Sequence, residues 1–301
     1  MGGLNALAAL AAAAAVAAPS LAASSATPVT YLQSRQQASG GFAEPGRAAD
    51  PALTAWAVLA LRAAGRPPDG AAAYLAGKPY PTATDLALRI LALDALGKDV
   101  SALADQLEGL RHANGQIGAA VNSTIWGVIA LREAGRPAPA GSVAFLRRQQ
   151  SARGGWPWAV GVAPDSNDTA AAIEALRAAG VRASAKPIRR GLAYLQALHN
   201  ADGGFELSPG RGSDAQSTAW AIQAVLAAGG NPPQSAFAYL ARLRRADGSV
   251  RYSARYATTP VWVTSQVVPA LVRRSFPLRL SRGRPIFART IGPWRAPHAG
   301  H

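Results

Sequence analysis

Cysteine is absent from these 301 residues, so disulfides, thiolate nucleophiles and zinc sites that need a thiolate are all excluded. Histidine is scarce, with only four, and His112 and His199 fall where predicted helices end. A favourable interaction with a helix C-terminus accounts for them there, and neither a metal nor another cofactor is expected. Acids are few: 16 against 31 basic residues, of which only three are lysines, for a net charge of +15. The repeat zone has no basic run interleaved with aromatics, so the charge reads as solvated helix faces and no nucleic-acid partner is expected. Beyond the leader no uninterrupted apolar run is long enough to cross a membrane as a helix.

What is present is repetition. Gly40-Gly41-Phe42, Asp50, Thr54-Ala55-Trp56 and Gly65 return as Gly154-Gly155-Trp156, Asp165, Thr169-Ala170-Ala171 and Gly180. They return again as Gly203-Gly204-Phe205, Asp214, Thr218-Ala219-Trp220 and Gly229. In each copy the Asp precedes the Thr by four residues and the Gly follows it by eleven. Thr124-Ile125-Trp126 and Gly135 keep the second half of the unit, and Asp247-Gly248 keeps part of the loop. Fixed offsets of this kind mark a repeat architecture.

Helical spacing fills the intervals. Asp50-Pro51 is a cap followed by proline at the first helical position, and Gly65-Arg66-Pro67 is a stop. The same reading places helices over Val29–Ala38, Gly70–Ala76, Thr82–Leu96, Ser101–Arg111, Asn122–Ala134 and Ala140–Ser151. It continues through Ser166–Ala179, Lys186–Asn200, Ala215–Ala228, Gln234–Arg245 and Pro260–Arg273. That makes six helical hairpins and no strand. The second is eroded, with no Gly-Gly-aromatic loop and Leu86-Ala87-Leu88 in place of Thr-Ala-Trp. A lone hairpin cannot bury its own apolar face, so the hairpins pack side by side, the alanine- and tryptophan-rich second helices inside.

Residues 1–26 have the form of a signal peptide, with apolar Ala6–Ala18, then Pro19 and small residues, so a secreted or extracytoplasmic protein is expected. Residues 27–273 form the repeat domain. Residues 274–301 form a basic, proline-rich tail suited to contact with an anionic surface.

Phe145-Leu146-Arg147-Arg148-Gln149-Gln150 before Gly154-Gly155-Trp156 resembles the Gln-Trp repeat of squalene and oxidosqualene cyclases. Tyr31-Leu32 with Gln36-Gln37, and Tyr194-Leu195 with Asn200, are further copies. Prenyltransferase β-subunits and transcobalamin-type carriers look similar. The resemblance implies an all-α (α/α)6 toroid over nearly the whole mature chain. Cyclases of this kind carry Asp-x-Asp-Asp-Thr-Ala; here the run is Asp165-Ser166-Asn167-Asp168-Thr169-Ala170, with Asn167 at the proton donor's place. A carboxamide has no such proton to give.

The leading expectation is therefore a monomeric, non-catalytic protein that holds an apolar or aromatic ligand, or a partner, at the loop end of the barrel. The alternative is a terpenoid cyclase-like enzyme using Asp168 with Asp165. Trp56, Trp126 and Trp220 share one repeat position and would face a common space; Trp262, Tyr252 and Tyr256 would rim it. Asp50 and Asp214, with Asp165, form either a ring of carboxylates at one mouth or a set of helix caps. Glu44, Glu206 and Arg211 lie in the same loops, within reach of a polar ligand group.

Overall fold

The computed structural model describes residues 26–278; nearly all of the expected leader and most of the basic tail lie outside them. Helices pair in chain order: α1 (Pro28–Gln33) with α2 (Pro51–Ala63), α3 (Ala71–Ala76) with α4 (Ala83–Ala95), and α5 (Ser101–Gly109) with α6 (Val121–Glu133). Then come α7 (Ala140–Gln149) with α8 (Ser166–Ala178), α9 (Lys186–Gln196) with α10 (Ala215–Ala227), and α11 (Gln234–Arg242) with α12 (Pro260–Leu271). Each second helix packs on the next, and α12 packs on α2, so the ring closes. The second helices are buried almost all round, whereas an outer helix such as α11 buries only Ala236, Tyr239 and Leu240, one stripe at helical spacing.

The outer helices end short of the periodic pattern, α1 at Gln33 and α9 at Gln196, because the chain turns back through the Gly-Gly loop. Expecting no strand was therefore wrong. Phe205–Glu206 (β1) pairs antiparallel with Ser213–Asp214 (β2), and single bridges such as Gln36 to Phe42 recur in the other loops.

The repeated residues hold one another. The N–H of Phe42, Ile117, Trp156, Phe205 and Val250 donates to the hydroxyl of Thr54, Thr124, Thr169, Thr218 and Thr264, at 2.8–2.9 Å. The Thr54, Thr169 and Thr218 hydroxyls in turn donate to the backbone carbonyls of Asp50, Asp165 and Asp214. Gln150, not Gln149, is the clasp glutamine, with Nε2 bonding Gly154 O at 2.8 Å and Pro187 O at 2.9 Å, on the next outer helix. His199 takes that role in the fifth repeat, reaching Gly203 O and stacking on Phe205, so it is a loop clasp rather than a helix-end charge. A Cβ on Gly154, at φ +97°, would lie 2.5 Å from Arg190 O of α9, and one on Gly248, at φ +89°, 2.5 Å from Thr27 O at the start of α1. The last repeat thus meets the first through the contact that joins its neighbours.

The inner rim closes in the same way. Leading N–H groups of α6, α8 and α10 donate to carbonyls of the following repeat's loop: Asn122 to Trp158, Ser166 to Leu207 and Ala215 to Tyr252. Helix α12 begins at Pro260, and the Thr259 before it, at φ 44°, supplies no side-chain cap. Its Val261 and Trp262 N–H groups donate to the two carboxylate oxygens of Glu44, in the first repeat's loop, at 3.0 and 2.9 Å. Glu44 therefore latches the ring instead of facing a ligand, and Glu206 likewise accepts from Gly212 N–H. Replacing Glu44 by Ala leaves two helix-end donors bare, and the expected loss is about 2 kcal/mol in a denaturant titration.

Candidate functional site

All the inner helices begin at one mouth, and the Asp residues singled out in the repeat lie there as N-caps. Asp50 accepts from Leu53 N–H at 2.8 Å, Asp165 from Asp168 N–H at 2.8 Å, and Asp214 from Ser217 N–H at 2.8 Å. Asp50 is exposed, whereas Asp214 is buried beside Tyr252 and its carboxyl is raised by that burial. Tyr256 is 52% exposed.

Asp168 differs from these caps. It is buried on the first turn of α8 and accepts from Asn122 Nδ2 of α6 at 2.6 Å; Asn122 Oδ1 accepts from Thr84 of α4 at 3.2 Å. A polar line thus crosses three inner helices. Burial first, then the neighbouring Asp165 charge, push the Asp168 carboxyl up to about 8, against the pull of the Asn122 hydrogen bond. Asp165 is raised too, chiefly by burial. Two neighbouring buried carboxyls disfavour carrying two charges at once, so the pair as a whole is pushed towards holding a proton.

The tryptophans do face a common space, and they fill it. Ring centroids lie 5.1 Å apart for Trp56 and Trp126, 5.7 Å for Trp56 and Trp220, and 5.5 Å for Trp126 and Trp220, all edge to face. Trp262 joins at 6.3 Å from Trp56. Phe276 enters the cluster from the segment after α12, 5.9–6.0 Å from three of these rings. Phe276 and Leu278 are both buried, so the core runs past the boundary expected at Arg273. Nothing periodic in that arginine- and proline-rich stretch signals it.

Space opens instead at the eroded second hairpin. From Ile117 to the start of α6 is a much shorter span than from Trp156 to α8, and the second hairpin has only a short connection before α4. Helix α4 caps itself through Thr82 and Asp85. Beside it lies a groove of about 660 Å³, lined by Tyr80, Thr84, Leu110, Asn122, Ser123 and Trp158 among others, none of them charged. Leu110 and Trp158 are 40% and 56% exposed. A smaller hollow of about 270 Å³ lies on the other side, with Asp50, Tyr80 and Arg89 in its wall. Asn122 joins the larger groove to Asp168, a role the sequence pattern did not single out.

No protein-family model matches the sequence, and no curated protein matches it. Solved structures do match. A protein from Actinoplanes superposes with a TM-score of 0.62 at 19% identity, over 82% of this chain and 97% of that one. The type II terpene cyclase MstE from Scytonema gives 0.61 at 19% identity, over 82% and 95%. A glycosidase gives 0.59 at 12% identity, over 82% and 94%. The fold is the (α/α)6 toroid. At these identities the likeness is one of fold, shared by terpene cyclases and glycosidases alike; a squalene cyclase in particular is not among these neighbours.

The Asp168 carboxyl is raised from 3.8 to about 8 on folding, so its contribution to stability is full below 3.8 and is lost as pH climbs towards 8. Asp168→Asn keeps the shape and removes that proton. Thermal unfolding across this range should show a stability fall with pH that is shallower by one proton in the variant, the remainder coming from Asp165, Asp214 and Glu174, which are raised in the same direction.

Proposed function

We propose that the protein binds an uncharged, apolar small molecule of isoprenoid or aromatic type in the groove beside the second hairpin, and holds it there unchanged. The observation that supports this reading is the groove's lining: aromatic and aliphatic walls, a few neutral hydrogen-bonding groups at Thr84, Asn122 and Ser123, and no charge. Its size suits a ligand of drug-like dimensions. Trp158 and Tyr80 offer flat faces for a ring or a chain of double bonds. A neighbour of the same fold, MstE, has been solved with geranylgeranyl dihydroxybenzoate, which accords with an apolar ligand. The leader and the basic tail suit a monomer working outside the cytoplasm, against an anionic surface.

A second reading is an enzyme that protonates an isoprenoid. The buried Asp168, its carboxyl pushed up beside Asp165, favours it, and so do the terpene cyclases among the neighbours. Against it stand Asn167 in the donor's place and indoles in direct contact on the barrel axis, which leave no room between them for a folded polyene. Asn122 also stands between the acid and the groove, whereas an acid must reach the atom it protonates.

Titration of intrinsic tryptophan fluorescence with farnesol and with farnesyl diphosphate tests the first reading. Farnesol should bind and the diphosphate should not, and Trp158→Ala should weaken farnesol about tenfold. Preference for the diphosphate would overturn it. Incubation with squalene and with geranylgeranyl dihydroxybenzoate, followed by chromatography, tests the second: a cyclic product made by the natural chain and lost in Asp168→Asn would replace holding with catalysis.

A further inference from the structure

Glu174 of α8 is fully buried, and neither of its carboxyl oxygens completes a hydrogen bond. Gln223 Oε1 of α10 and Ser265 Oγ of α12 are buried and equally without a partner. These helices follow one another in the ring. Counted from the threonine that holds each repeat's loop, Glu174 and Gln223 occupy one shared position, a turn beyond that of Trp56, Trp126 and Trp220; in α12 the tryptophan position is held by Gln266, and Ser265 directly precedes it. A buried polar atom left unpaired costs about 1–3 kcal/mol, and more when it can carry charge. Gln223 Oε1 can only accept, Ser265 Oγ can accept or donate, and Glu174 accepts through both oxygens once it is ionised, so a charged carboxyl here needs a donor from elsewhere.

The group that eases the burial of Glu174 is the backbone N–H of Phe276. The ring of that residue sits among Trp56, Trp126 and Trp220. Phe276 belongs to no helix; it reaches the barrel from beyond α12. Its ring, Cβ, Cα and N therefore trace a path from an aromatic box to a carboxyl.

We propose that this is a second ligand site, filled in the present structure by the chain's own Phe276, and that its external ligand is a 2-arylethylammonium: an aromatic ring, two carbons and a protonated nitrogen. The ring replaces the phenyl group among the indoles. The N–H donors of the ammonium meet acceptors of Glu174 and Gln223, which share one position on neighbouring helices and have no donor of their own. As the cation enters, Glu174 releases its proton to water, so one positive charge replaces another and the carboxylate is paired. The tryptophan faces add their own attraction for a cation. This site stands apart from the groove at the mouth and does not depend on it.

The test uses the full chain carrying Phe276→Gly, titrated by calorimetry with 2-phenylethylammonium and with 2-phenylethanol, its neutral counterpart. The ammonium should bind at least tenfold tighter than the alcohol, and the preference should vanish when Glu174→Gln is added. Trp158→Ala should leave it unchanged, which separates this site from the groove. Equal affinity for the two probes, a preference that survives Glu174→Gln, or no binding by the folded variant would each overturn the proposal. Phe276→Leu, which keeps an apolar side chain in the barrel, is measured in parallel, and the same outcomes decide if the glycine variant does not fold.

Discussion

Helices that all start at one rim present their first backbone N–H groups to that rim, and a buried rim cannot leave them bare. This chain meets the constraint at three inner helices by handing the helix start to the following repeat: the loop around Trp158 serves α6, that around Leu207 serves α8, and that around Tyr252 serves α10. At the last repeat the following loop is that of the first, and there a side chain, the Glu44 carboxylate, takes the place of a backbone carbonyl. The threonine hydroxyls fasten each loop to its own helix, so one hydrogen-bonding layer joins within repeats and between them. Where two loops are short, the layer thins, and the uncharged groove lies there.

Much of this was legible in the chain because the bonded groups sit at fixed separations. The four-residue step from Asp50 to Thr54 is the step from a cap to the hydroxyl that returns to its carbonyl. The shared position of Trp56, Trp126 and Trp220 correctly placed them together. The missing loop of the second hairpin was visible, and the groove is its spatial meaning. Other features depend on partners that no spacing reveals. Glu44 serves a helix far along the chain, and the Asp168 carboxyl is tuned by Asn122 from another repeat. Phe276 lies in a stretch whose composition suggests a solvated tail, yet packing draws it into the core. Periodicity overran the outer helices because a Gly-Gly turn overrides helical propensity in the residues before it.

The arginine excess has a structural account as well. Arg148 reaches back to Asn114 O, Arg190 to Ser151 O and Ala152 O, and Arg242 to Asp202 O, each from an outer helix to the preceding loop. Arg132 of α6 and Arg177 of α8 reach the carbonyls of Ala178 and Ala227, at the end of the next inner helix. A guanidinium spans two carbonyls where an ammonium acts as a point, which suits a chain that has almost no lysine. Much of the positive charge is thus a by-product of fastening, and at the surface Arg136 pairs with Asp105.

Because Gly248 nests against Thr27 as Gly154 nests against Arg190, the circle has no outermost unit. An open array of repeats can fray from its tips and lose stability in instalments, each unit answering only to its neighbours. Here the removal of any one hairpin strips contacts from both sides of the gap and slackens the tension of the whole hoop. Such an object should melt in a single step, and mutational damage anywhere on its circumference should be felt everywhere.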